Sequence, residues 1–138
     1  MQSTVEILIG DRGGDHVLIR PGRFDRENWL DADVEVMCDG WRGVLKAYFL
    51  KGELGSLAEQ LRALYKNLSG AVELNPIEPY LTLSFSGDGK GHIFVKGEVS
   101  STLGSGTYLR FAFEIDQTYL KSVIDALAAL DSAREVQA

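Results

Sequence analysis

The sequence predicts an α+β protein, a curved, mainly antiparallel β-sheet of about seven or eight strands with two α-helices packed on one face. Three observations predict it. Leu109, Phe111, Phe113 and Ile115 alternate with Tyr108, Arg110, Ala112 and Glu114, the period of two of a half-buried strand. At Asp116 the period switches, and Leu120, Val123, Ile124, Leu127 and Leu130 follow helical spacing, with Asp116 placed to cap the helix. Elsewhere, strand-like runs are joined by short Gly- and Asp-rich turns. Such connections pair strands antiparallel, because a parallel crossover needs about a dozen residues or more.

The elements follow in order. Val5–Ile9 and His16–Arg20 read as two strands joined through Gly10-Asp-Arg-Gly-Gly-Asp15, and Pro21-Gly22 is expected to break the chain. Ala32, Val34, Val36 and Cys38 then alternate with Asp31, Asp33, Glu35 and Met37. Asp39-Gly40 signals a two-residue hairpin, since both positions accept positive φ, and the returning strand runs from Trp41 to about Leu50. Ser56-Leu-Ala-Glu59 has capping-box spacing and predicts a helix start; Leu57, Leu61, Leu64 and Leu68 form its stripe, and Gly70 sits where it should close. Ala71–Leu74 reads as a short strand ended by Pro76 and Pro79. Leu81, Leu83 and Phe85 face one way, Gly87–Gly91 turns the chain, and Ile93, Val95 and Val99 return it. No internal repeat is visible.

At 138 residues the chain is expected to form one domain, 1–138, with a weakly ordered tail from about 131. No apolar run approaches the roughly 20 residues needed to span a bilayer, and the N-terminus lacks signal-peptide regions. A single cysteine, Cys38, excludes an internal disulfide and a cysteine-based metal cluster; its apolar strand pattern reads as a small buried hydrophobe. A cytoplasmic location is expected. The net charge of −6 is uneven, with nine acidic and four basic residues in 1–40 against eleven and ten in 41–138. That excludes direct nucleic-acid binding, which needs clustered Lys and Arg, and suits a basic protein partner.

Asp31, Asp33 and Glu35 are the leading site candidates. Period two puts the three carboxylates on one face of a strand, about 7 Å apart. They can receive Lys or Arg from a partner, contribute to a divalent-metal site, or form a charged solvent face that blocks edge pairing. The EF-hand pattern fails, because its sixth position is Val36 and its twelfth is Arg42. Trp29 and Trp41 flank this strand; Trp41, beside the acidic run, is the aromatic anchor expected of a binding surface. Gly87-Asp-Gly-Lys-Gly91 is followed by a strand pattern and not a helix, so it reads as a hairpin turn and not a phosphate loop. His16 and His92 have no second ligand at metal spacing and no catalytic constellation around them, so no cofactor and no catalysis are expected.

Several segments together carry a family resemblance. Trp29-Leu-Asp-Ala-Asp-Val-Glu-Val36, Leu64-Tyr-Lys-Asn-Leu-Ser-Gly-Ala-Val-Glu-Leu74, Gly87-Asp-Gly-Lys-Gly-His92, Gly104-Ser-Gly106 and Phe113-Glu-Ile-Asp-Gln-Thr-Tyr-Leu120 occur in this order. The pattern resembles the WapI-family immunity proteins over roughly Trp29 to Leu127. The Glu-Ile-Asp-Gln-Thr-Tyr-Leu junction and the Gly-Asp-Gly-x-Gly-His hairpin are its most specific parts. The resemblance implies a small cytoplasmic, non-enzymatic protein that binds and neutralises a bacterial toxin domain, such toxins often being nucleases with basic clefts. It carries over no toxin-contacting residue. Asp31, Asp33, Glu35 and Trp41 are therefore proposed from charge and pattern as the surface meeting a basic toxin. A regulatory module with another protein partner, or less plainly a metal-binding protein, is the alternative.

Overall fold

The structure, a computed structural model, describes the backbone over residues 5–133 and side chains over 5–130. Two four-stranded antiparallel sheets and two helices make up the fold. The first sheet comprises β1 (Ile7–Gly10), β2 (His16–Phe24), β3 (Trp29–Cys38) and β4 (Trp41–Leu50), in sequence order. Helix α1 (Lys51–Asn67) follows. The second sheet comprises β5 (Ser69–Leu74), β6 (Leu81–Asp88), β7 (His92–Val99) and β8 (Leu109–Asp116), also in order, and leads into α2 (Thr118–Ala133). The remainder of the expected C-terminal tail, 134–138, lies outside the described residues.

The class, the eight antiparallel strands and the two helices are those the sequence predicts. The finer arrangement is two sheets where the sequence reading joined the strands into one. The physical reason is α1: its 17 residues span about 25 Å, so β5 starts well away from β4 and no ladder joins them. The result is a ββββα unit used twice, a repeat of topology that the side chains conceal. Each helix crosses to the other unit, α1 packing on β5 and α2 on β1, and the helices pack on each other.

The inner faces of both sheets and the helix stripes form one buried cluster. It includes Ile7, Ile19, Val34 and Phe49 from the first sheet, Leu81, Phe85 and Val95 from the second, and Leu61, Leu64, Leu120 and Val123 from the helices. Burying each large apolar side chain is worth roughly 1.5–3 kcal/mol before conformational entropy is set against it.

Three local expectations are corrected. Pro21-Gly22 does not end a strand: β2 runs through it to Phe24 on a bulge between Pro21 and Phe24. The helix does not begin at Ser56 but at Lys51, because Glu53 reaches back to the Leu50 N–H at 2.7 Å and supplies the cap one turn earlier. Its end precedes Gly70, since Leu68 takes the left-handed conformation (φ 65°) and its N–H bonds the Leu64 carbonyl at 2.7 Å. The expected cap of α2 is present, with the Thr118 N–H donating to Asp116 Oδ1 at 2.9 Å.

Candidate functional site

The β3–β4 hairpin sets the geometry of the acidic strand. Asp39 (φ 51°) and Gly40 (φ 83°) form the tight turn, and the register then pairs Asp31 with Tyr48, Asp33 with Lys46, Glu35 with Val44 and Met37 with Arg42. Residues in register share a face, so these side chains all lie on the outer face of the first sheet. Ala32, Val34 and Val36, between the carboxylates, are buried on the inner face.

The three carboxylates share that face and each has a cationic neighbour on β4. Lys46 Nζ lies 2.9 Å from Asp33 and 3.8 Å from Asp31, while Arg42 Nε donates to Glu35 at 2.8 Å. Asp31 and Asp33 are open to solvent, with side chains 50% and 62% exposed, whereas Glu35 is 18% exposed. The Arg42 hydrogen bond holds the Glu35 carboxyl below its ordinary pKa, and the Asp33 hydrogen bond raises that of Lys46. On β2, Arg20 stands opposite Asp33 and donates to Glu6 at 2.9 Å; Glu6 also accepts from Arg12 at 2.6 Å. Across the sheet the charges run Glu6, Arg20, Asp33, Lys46, alternating in sign. The face is densely charged and internally matched. Exposed pairs of this kind are worth about 0–1 kcal/mol each, so a partner's charge can exchange with one at little cost.

Gly22 explains why the β2 bulge stands beside Asp31. A Cβ there would sit 2.6 Å from Asp31 Oδ1, so only glycine leaves the carboxylate its present position. Trp41 is not on the acidic face. It pairs with Cys38, whose side chain points inward, and at the sheet's end the residue is 68% exposed. With Cys38, Asp39, Leu109, Arg110, Phe111 and Ala112 it lines a groove of about 250 Å³ at the junction with β8. Cys38 is buried there, as its pattern predicts; its thiol donates to the Ala112 carbonyl at 3.3 Å, and burial raises its pKa.

The histidines have architectural partners. His16 is buried, and its Nδ1 faces the carbonyls of Asp11 (3.1 Å) and Gly14 (2.8 Å), so this nitrogen carries the proton and ties the β1–β2 loop. His92 Nδ1 contacts Asp88 Oδ2 at 2.8 Å, while Asp88 Oδ1 accepts the N–H groups of Lys90 and His92 at 2.7 and 3.2 Å. That is an Asx-type hairpin turn, as the strand pattern after Gly91 predicts. Among the described residues, no group of three or more His, Cys, Asp or Glu side chains is placed to hold a metal ion. No described helix is long and apolar enough to cross a membrane.

The sequence reading named the acidic half of this face and missed its basic half, Lys46 and Arg42. The signal was available: residues equidistant from Asp39-Gly40 pair, so Asp33 must meet Lys46 once the turn is fixed.

Residues 7–132 match the family described as the immunity protein WapI-like family. The chain belongs to that family. The match extends the resemblance read from Trp29 onward back through β2 to Ile7, so the first sheet lies within it. Membership gives the chain an immunity role, exerted by binding and without catalysis. No curated protein matches the chain. Among solved structures it is similar to MRP1/MRP2 of Trypanosoma brucei, with 10% identity and a TM-score of 0.49 over 96% of this chain and 87% of that one. It is also similar to a chain of the CdiA-CT/CdiI toxin and immunity complex from Enterobacter cloacae, with 13% identity and a TM-score of 0.39 over 96% and 99%. With TM-scores this low, neither likeness says anything of this chain's partner.

Proposed function

We propose that this WapI-like protein acts in the cytoplasm as the inhibitor of a basic toxin domain, a nuclease in class. In this reading it meets the toxin through the outer face of the first sheet, with Asp31, Asp33 and Glu35 at the centre and Trp41 at the rim. The observation that carries the reading is the open pair Asp31 and Asp33 sharing a single Lys46. Two carboxylates beside one ammonium leave acceptor capacity for an incoming Lys or Arg. The net charge of −6 adds long-range attraction to a basic partner. Trp41, exposed at the hairpin tip, is a large aromatic of the kind that anchors interfaces.

The test is capture of partners on the tagged protein from lysate of its own source cell at low and high salt, followed by co-expression of each captured domain with and without the chain. The expected result is a basic domain that arrests growth alone, is tolerated with the chain, and is released by salt. A captured partner that is neither toxic nor basic would turn the reading toward a regulatory module. Reversing Asp31, Asp33 and Glu35 to Lys should then slow association by about tenfold or more, since charge complementarity steers the encounter with a basic partner. Unchanged kinetics in that triple variant would remove these residues from the interface.

A further inference from the structure

Strand β4 is an edge of the first sheet, and among the described residues the outward hydrogen-bonding groups of Arg42, Val44 and Lys46 are unspent. In the tight hairpin, Cys38 and Trp41 close the turn as a hydrogen-bonded pair, and the ladder then alternates. Trp41, Gly43, Leu45, Ala47 and Phe49 therefore aim their N–H and C=O groups at β3. Arg42, Val44, Lys46, Tyr48 and Leu50 aim theirs away from it. The one outward donor in this set with a partner confirms the parity, because the Leu50 N–H is bonded by Glu53. Among the described residues, no backbone or side-chain hydrogen bond from another element reaches the outward groups of Arg42, Val44 or Lys46.

At the other sheet ends, helix α2 packs on β1 and α1 on β5, and at β8 the Ala112 carbonyl accepts the Cys38 thiol. On β4 the flanking side chains are open: Val44 is 59% exposed and Tyr48, its ring against Tyr80 at 5.6 Å, 37%. A long edge with exposed apolar residues invites an added strand.

We propose that β4 receives an extended segment of the toxin, which adds a fifth strand to the first sheet and carries a carboxylate opposite Lys46 with apolar side chains on either side. The charge row fixes the carboxylate. Glu6, Arg20, Asp33 and Lys46 alternate in sign across the sheet, so an acid at the next position continues the row and shares the Lys46 ammonium with Asp31 and Asp33. Val44 and Tyr48, two residues to either side of Lys46, set apolar neighbours. A second copy of this chain does not meet these demands. Antiparallel pairing of β4 with itself places Arg42, Val44, Lys46, Tyr48 or Leu50 opposite Lys46, and never an acid. The toxin's identity as partner rests on the proposed immunity function; the edge's chemistry does not.

The two can be tested apart with synthetic strands. The probe is a blocked heptapeptide, Thr-Val-Thr-Glu-Thr-Val-Thr, with a Lys-for-Glu version and one N-methylated at alternate residues. Binding is followed by amide resonances and amide exchange of the full chain. The expected result is that the Glu peptide binds and slows exchange at Val44 and Lys46, while the Lys peptide is weaker by about tenfold. N-methylation should abolish binding, because the backbone ladder supplies the affinity. Val44→Pro removes an outward N–H that β3 does not use and should lose the peptide while keeping its melting transition; Val44→Thr should retain it. Absence of binding, equal affinity of Glu and Lys peptides, or protection elsewhere on the chain would overturn the proposal. So would a dimer in sedimentation that Val44→Pro dissociates, since the edge would then belong to a second copy. Peptide binding with no growth-arresting partner would instead keep the edge and retire the toxin.

Discussion

The His92–Asp88 pair ties the β6–β7 hairpin with a bond whose strength depends on pH. Its two members shift in opposite directions. The His92 hydrogen bond, with help from the backbone N–H groups of Lys90 and His92, takes Asp88 from 3.8 to about 2. Asp88 raises His92 above 6.5. A raised folded pKa means that the fold holds the proton more tightly than the unfolded chain. The His92 contribution is therefore complete below 6.5 and is lost as pH rises through the folded value. The Asp88 contribution is complete above 3.8 and is lost as pH falls through about 2. The hairpin should be best tied between those limits. Imidazole resonances followed against pH should give His92 a midpoint above 6.5 that returns toward 6.5 in Asp88→Asn; an unchanged midpoint would remove the pair. Close packing sets a second test at this scale. A Cβ at Gly97 would lie 2.3 Å from the buried Phe111 ring. Gly97→Ala should cost about 1–3 kcal/mol in urea unfolding, the usual range for overpacking a core. A change below that range would mean that the ring moves aside freely.

Among the elements, α1 separates what the chain pattern shows from what tertiary contacts decide. Its leucine stripe is plain in the sequence, and Leu57, Leu61 and Leu64 are buried as that stripe requires. Its start is not plain. Ser56-Leu-Ala-Glu59 matches a capping box, yet it lies inside the helix, where Ser56 Oγ accepts from Gln60 at 3.0 Å. The working cap is Glu53, which accepts from the Leu50 N–H and also from the Ile77 N–H at 2.8 Å. The second contact comes from 24 residues away, and no local pattern announces it. Glu53→Ala should cost about 0.5–2 kcal/mol, while Ser56→Ala stays within about 0.5 kcal/mol. Thermal unfolding of the two variants side by side decides it, and the reverse order would restore the cap to Ser56. The acidic strand shows the same division. Alternation alone brings Asp31, Asp33 and Glu35 to one face, and the tight turn adds Lys46 and Arg42 by counting. Trp41 separates from them by that same count, because it sits an odd number of residues along β4 from the outward-facing set.

For the whole molecule, the repeated ββββα unit matters because the two units interlock. Each sheet buries its inner face partly on the helix that the other unit contributes, α1 on β5 and α2 on β1. The repeat escaped the sequence reading because topology is kept by strand length, turn position and apolar alternation, none of which requires matching residues. The same logic predicts how the protein unfolds. Neither unit keeps its inner face covered once the helix pair separates, so both sheets should be lost in one transition. Leu61 is fully buried on α1 within the cluster shared by both sheets and both helices. Leu61→Ala should cost about 2–5 kcal/mol by leaving a cavity there. Two reporters read the sheets separately: Trp29 and Trp41 fluoresce from the first, and the His92 resonance belongs to the second. In urea, the midpoints of both should fall together in Leu61→Ala and coincide in the parent chain. If fluorescence is lost while the His92 signal stays native, the first sheet unfolds alone and the interlock does not govern stability.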